Sequence, residues 1–289
     1  MDTNAARAFI GAHARILDQR RAAVLFDEGP TGPVVDAVLA YRNTDGGFGH
    51  GLEPDTRDPN SQPLYAQVAL ESVQSVGAHL PDDVTVALCD HLAGVAAAAG
   101  TPALPIMLPS FADHPRASHW LGIDSFPPDL NPTAAIAGHL HADGVAHPWL
   151  DDATTWCVDQ IDGGGLDDAP VHALSCVSTL LTHLPDRALA DRLADRLFAR
   201  LPSTPMFQAT PDLNEYGLTP LRFAPTPDSP WRARFSDDQI DAHLEALAAD
   251  QQPDGGWPIR WEPPSEPSVW EWRGMVTVEA LATLAAYGR

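Results

Sequence analysis

Asp254-Gly255-Gly256-Trp257 decides how this chain is read, together with two weaker echoes, Asp45-Gly46-Gly47-Phe48 and Asp162-Gly163-Gly164-Gly165. Each follows a helix-like segment ending in a polar amide and precedes a loop that runs into another such segment. Paired glycines reach backbone conformations closed to other residues, and an aspartate at the head of the turn bonds nearby backbone N–H groups. A following aromatic then covers the end of the preceding helix. Two further phrases recur at nearly the same interval: Leu108-Pro109-Ser110 as Leu201-Pro202-Ser203, and Pro128-Asp129-Leu130-Asn131 as Pro211-Asp212-Leu213-Asn214. The spacing points to repeated helical hairpins.

Outward from these turns the periodicity is helical. One helix is expected from Asn4 to about Phe26, a short one from Val34 to Arg42, and an alanine-rich one from Asp82 to Ala99. Asn131-Pro132 opens a helix by capping, and Ser236-Asp237-Asp238-Gln239 has the form of a capping box. The second segment of each pair is more apolar than the first, which suits two concentric layers with residues 62–76, 131–141, 170–184, 213–221 and 274–287 inside. We therefore expect an all-α, closed α/α toroid of five to six hairpins, with residues 1–289 forming one domain. Residues 100–130 are proline-broken and aperiodic, the mark of a lid-like loop.

Of 289 residues, 44% are hydrophobic, enough for a sizeable core. The 39 acidic and 17 basic residues leave a net charge of -22, which repels phosphate backbones and argues against a nucleic-acid partner. Three cysteines cannot close a disulfide framework. No basic-then-apolar leader and no membrane-length apolar run occurs, so a cytoplasmic protein without a transmembrane segment is expected. Oligomeric state is left open.

The stretch Ala249-Asp250-Gln251-Gln252-Pro253-Asp254-Gly255-Gly256-Trp257 resembles the glutamine-tryptophan (QW) repeat of the squalene-hopene cyclase and protein prenyltransferase superfamily. The last 40 or so residues carry the likeness, and the turns at Asp45 and Asp162 carry part of it. What the resemblance implies is an α/α toroid with a ligand in its central cavity. The family's acid motif, Asp-x-Asp-Asp, has only Trp149-Leu150-Asp151-Asp152 and Gly165-Leu166-Asp167-Asp168 as approximations, and no Asp-Asp-x-x-Asp run occurs. Val171-His172-Ala173-Leu174-Ser175-Cys176 resembles the zinc-binding inner helix of the prenyltransferases. Without its Asp-x-Cys partner, zinc at His172 and Cys176 is not expected, nor is any other cofactor.

Loops after the aspartate-glycine turns should gather at one rim. There the candidate catalytic carboxylates are Asp55, Glu53 and Glu271, and the candidate ligand contacts are His50, Arg57, Asp58, Trp261, Trp270, Trp272, Arg273 and His172. Carboxylates crowded in a partly apolar mouth acquire raised pKa values and serve as general acids; the same residues can also cap helices and pair with arginines. Three functions fit: a terpene cyclase-like enzyme that protonates an isoprenoid or other apolar molecule, a non-catalytic toroid holding a hydrophobic ligand or partner, and a carbohydrate-active ring with paired carboxylates.

Overall fold

The computed structural model describes residues 1–289. The chain is all-α in character, with twelve α-helices: α1 (Thr3–His13), α2 (Ile16–Asp27), α3 (Gly32–Leu39), α4 (Pro63–Gln74), α5 (Asp82–Ala99), α6 (Leu130–Ala142), α7 (Pro148–Asp162), α8 (Val171–His183), α9 (Arg187–Arg200), α10 (Pro220–Phe223), α11 (Asp237–Ala249) and α12 (Glu266–Ala286). Its one sheet pairs β1 (Leu104–Pro105) antiparallel with β2 (Pro128–Asp129). No helix is long and apolar enough to cross a membrane.

Local chemistry sets the helix starts. The side chains of Asp2, Asp186, Ser236 and Ser265 accept from Ala5, Leu189, Gln239 and Ser268 N–H respectively, each such cap contributing about 1 kcal/mol. Burial stabilises more, by roughly 1.5–3 kcal/mol for each large apolar side chain removed from water. It falls unequally on the two members of each pair. In α4, α6 and α8 all but a few residues are buried, whereas α9 and α11 bury one stripe.

Packing follows the chain: α2 on α3, α3 on α4, α4 on α6, α6 on α8, α8 on α9 and α10, and α10 on α11; α12 packs on α11, α1 and α2. The α6–α8 contact is close because Gly138 lies against the backbone of Thr179 and Leu180, where a Cβ would approach to 2.7 Å. Tyr65, Phe9, Phe48 and Phe111 are among the largest fully buried side chains.

The first and third aspartate-glycine turns share one geometry. Gly46 and Gly255 have φ of 90° and 93°, and Gly47 and Gly256 donate to Asp45 and Asp254 Oδ1 at 3.0 and 3.1 Å. Gly46 meets the backbone of Ala87 on α5, and Gly255 that of Ala5 on α1. Trp257 is 2% exposed and donates Nε1–H to Leu247 O at 2.8 Å, covering the end of α11. At the second turn α7 runs on through Asp162, the positive φ shifts to Gly164, and the aspartate binds Arg192 instead.

Three boundaries differ from the sequence expectation. The segment from Asn4 to Phe26 is two helices, broken at Ala14 and Arg15, whose backbones are extended. Residues 213–219 are loop, leaving only Pro220–Phe223 helical. The last helix begins at Glu266 rather than Gly274, because Ser265 caps it and proline is tolerated in a first turn.

Candidate functional site

Three stretches distant in sequence meet around Asp55. Its Oδ1 accepts N–H bonds from the indoles of Trp261 and Trp272 at 2.9 and 2.7 Å. Its Oδ2 lies 3.4 Å from His119 Nε2, and its backbone oxygen accepts from Ala117 N–H at 2.7 Å. Residues of the 100–130 segment thus lie over the loop, which is also held by Arg57 N–H to Pro115 O, and Ser118 N–H ties the same segment to Glu262 O.

Glu53 stands beside it, 6% exposed, with Oε2 accepting the Asp55 backbone N–H at 3.0 Å. Burial, reinforced by the Asp55 charge, holds the Glu53 carboxyl well above the usual range. Burial also raises Asp55, opposed by His119 and the two indole donors. Two adjacent carboxyls that both resist ionisation can store and pass a proton.

Beyond Asp55 runs an aromatic chain. Trp261 and Trp272 meet edge to face with centroids 5.0 Å apart, and Tyr216 meets Trp261 at 5.3 Å. The Tyr216 hydroxyl and His172 Nε2 are 2.7 Å apart with their rings stacked. Burial, then Arg222 and His119, push the His172 pKa down to about 4, and burial pushes the Tyr216 phenol up to about 12. Arg57 and Glu271 form an ion pair at 2.8 Å.

The structure brings some of these residues together and sets others apart. Because residues 270–273 lie on α12 and not in a loop, successive side chains diverge around the helix. Glu271 and Trp272 face Arg57 and Asp55, whereas Trp270 stacks on His13 at 4.6 Å and Arg273 forms a two-point pair with Asp254 at 2.8 Å. Asp58 is fully buried as a tie between loops, its carboxylate accepting from Asn60, Gln62 and Ser110. His50 is exposed, with φ of 60°, and Asp167 and Asp168, after the second turn, are both exposed on the surface.

A cavity of about 460 Å³ opens on the other side of Trp261. Glu53 and Asp55 are not on its wall; Trp261, Tyr216 and Trp257 are. So are four charges from four helices: Arg21 of α2, Glu71 of α4, Arg222 of α10 and Glu279 of α12. Arg222 donates to Glu71 Oε1 at 2.8 Å and to Ser175 Oγ at 3.1 Å. The Glu71 charge raises the Arg222 pKa; burial works to raise Glu71, but Arg222, His139 and Arg21 together bring it below its ordinary value. Motif and spacing do not single out these four residues, nor Tyr216 and His119. The usable signal is a glutamate set inside an apolar stretch of each of two helices, Leu70-Glu71-Ser72 and Val278-Glu279-Ala280.

No group of three His, Cys, Asp or Glu side chains is arranged to hold a metal ion. His172 is turned to Tyr216, while Cys176 lies near Gln67 and Asn131 with its thiol pushed up to about 12 by burial. Compared with known proteins, the chain matches no family model and no curated sequence.

Proposed function

We propose that the chain is a closed α/α toroid of the terpenoid cyclase and prenyltransferase kind, acting by carboxylate protonation on a small molecule with an isoprenoid or other apolar body. Closure is supported by the return of α12 onto α1 and α2, and by the matching approaches of Gly46 to α5 and Gly255 to α1.

The observation that carries the chemical reading is the setting of Asp55. A protonated Asp55 gives its proton to an alkene carbon of the ligand, the π pair forming the new C–H bond, and the carboxylate left behind is stabilised by the indole N–H of Trp272, joined by that of Trp261 when its ring returns. Glu53, held protonated by burial, restores the proton. Aromatic faces of Trp261 and Tyr216 stabilise the cation formed in the ligand. Trp261 stands between Asp55 and the cavity, so its ring must turn aside for transfer to occur.

The test is incubation with linear isoprenoid alcohols in D₂O, followed by mass spectrometry. Deuterium bound to product carbon, lost in Asp55→Asn, supports the reading; compounds that bind but take up no deuterium overturn it. The second reading, a non-catalytic ligand-binding toroid, is favoured by the position of Asp55 off the cavity wall. The carbohydrate reading is weaker, because Glu53 and Asp55 share one turn instead of flanking a bond.

A further inference from the structure

The charges on the cavity wall are unevenly matched. Arg222 is engaged by Glu71 and Ser175, and Arg260 gives Nη2 to both oxygens of Asp250 at 2.7 and 2.9 Å. Arg21 is held by Asp18 Oδ1 and Ser75 Oγ, each at 3.1 Å. Every wall arginine thus has a partner of its own. Glu279 does not: it accepts no hydrogen bond, its nearest cationic atom is Arg21 Nη2 at 3.9 Å, and its side chain remains 44% accessible. Asp212 and Glu215 add carboxylates where the wall is exposed, and the indole of Trp261 and phenol of Tyr216 present aromatic surface.

We propose that the cavity takes an organic ammonium, a protonated or quaternary amine with an apolar body, its nitrogen at Glu279 and its body against Leu25, Leu221, Val276 and Ala280. An anionic head would meet Glu279 and Glu71 and find both nearby arginines already engaged. A neutral head would strip water from the Glu279 carboxylate and leave it unpartnered. An ammonium gains from the carboxylate and from the aromatic faces together. The volume lies within the roughly 300–1,000 Å³ of small-molecule sites. This inference rests on the reading that the cavity holds a small molecule, and is independent of whether Asp55 protonates it.

Three probes with one tail and different heads test it by isothermal titration: hexyltrimethylammonium, hexanol and hexyl sulfate. The ammonium should bind at least tenfold more tightly than hexanol, and the sulfate more weakly than either. Glu279→Gln should erase the ammonium preference while hexanol binds at least as tightly as before and the melting temperature does not fall; Glu279→Asp, which keeps the charge, should retain part of the preference. An ammonium preference that survives Glu279→Gln reports only the overall negative charge and overturns the assignment. So does hexanol binding with no preference among heads, a result that leaves the cavity itself intact. If no probe binds, the cavity reading fails and the head-group assignment with it. Should Glu279→Gln melt early, Glu279→Asp and the head-group ranking on the unmodified chain decide.

Discussion

The indole nitrogen of Trp272 lies 2.7 Å from Oδ1 of Asp55, so a helix near the end of the chain supplies a donor to a loop near its start. Trp272→Phe keeps a ring but removes that donor. The loss should cost about 1.5–3 kcal/mol while Asp55 is ionised, the range for hydrogen bonds to charged groups, and should raise the Asp55 pKa further. Chemical denaturation and carboxyl ¹³C NMR titration measure the two effects. An Asp55 titration unchanged by the substitution would show that the bond does not tune the carboxyl.

Glu53 gives a pH signature. Below its ordinary pKa of 4.5 the carboxyl is protonated in the folded and unfolded chain alike, so Glu53→Gln and the parent should then be similar in stability. Because burial raises the folded-state value, the parent loses stability as pH rises from 4.5 through that value, by about 1.4 kcal/mol per unit. Glu53→Gln, whose amide oxygen can still accept from Asp55 N–H, should therefore melt above the parent at pH 7 and level with it at pH 4.

His139 and His172 act in the opposite direction. Burial lowers each from 6.5 to about 4, which keeps both neutral in the folded chain. Their contribution is fully present above pH 6.5 and declines as pH falls toward about 4, since only the unfolded chain takes up the protons. His139→Gln should flatten this acid limb by about 1.4 kcal/mol per pH unit, seen in melting temperatures taken at half-unit steps. An acid limb of unaltered slope in His139→Gln would exclude this residue as its source.

Trp257 closes the third turn from a buried position, with its side chain bonded to Leu247 O and its backbone N–H to Thr277 Oγ1 at 2.9 Å. Trp257→Ala should cost roughly 3–5 kcal/mol. Urea unfolding with an unchanged midpoint would deny the turn aromatic a structural role.

Short-range chemistry makes much of this legible in the sequence. The helix start at Ser236 and the turn at Asp254 follow from residue type and spacing, whereas the meeting of Asp55 with tryptophans from the far end of the chain is expected only on the further assumption that the helical hairpins close into a ring. The break at Ala14 and Arg15 does not, because neither residue is a helix breaker and Arg15 is drawn there by Asp18 and Leu52 O. Pro263-Pro264-Ser265-Glu266-Pro267 reads as loop until Ser265 is recognised as a cap, and taking it as loop turns Trp270 and Arg273 the wrong way. The encounter of Arg21, Glu71, Arg222 and Glu279 is set by tertiary packing alone, which no local pattern encodes.

The contact of α1 with the third turn also has a meaning in time. Asp2 N–H and O bond the Gln251 side chain, Ala5 abuts Gly255, and Phe9 packs under Gly256 and Arg273. During synthesis at about 5–20 residues per second these partners emerge roughly 12 to 50 seconds after α1 does. Throughout that interval the apolar face of α1, with Ala6, Phe9 and Ile10, lacks its cover from α12 and the third turn and has only its smaller contact with α2. α1 thus completes its docking only after the third turn has formed, and a ribosome stalled before Gly255 would display that face to chaperones.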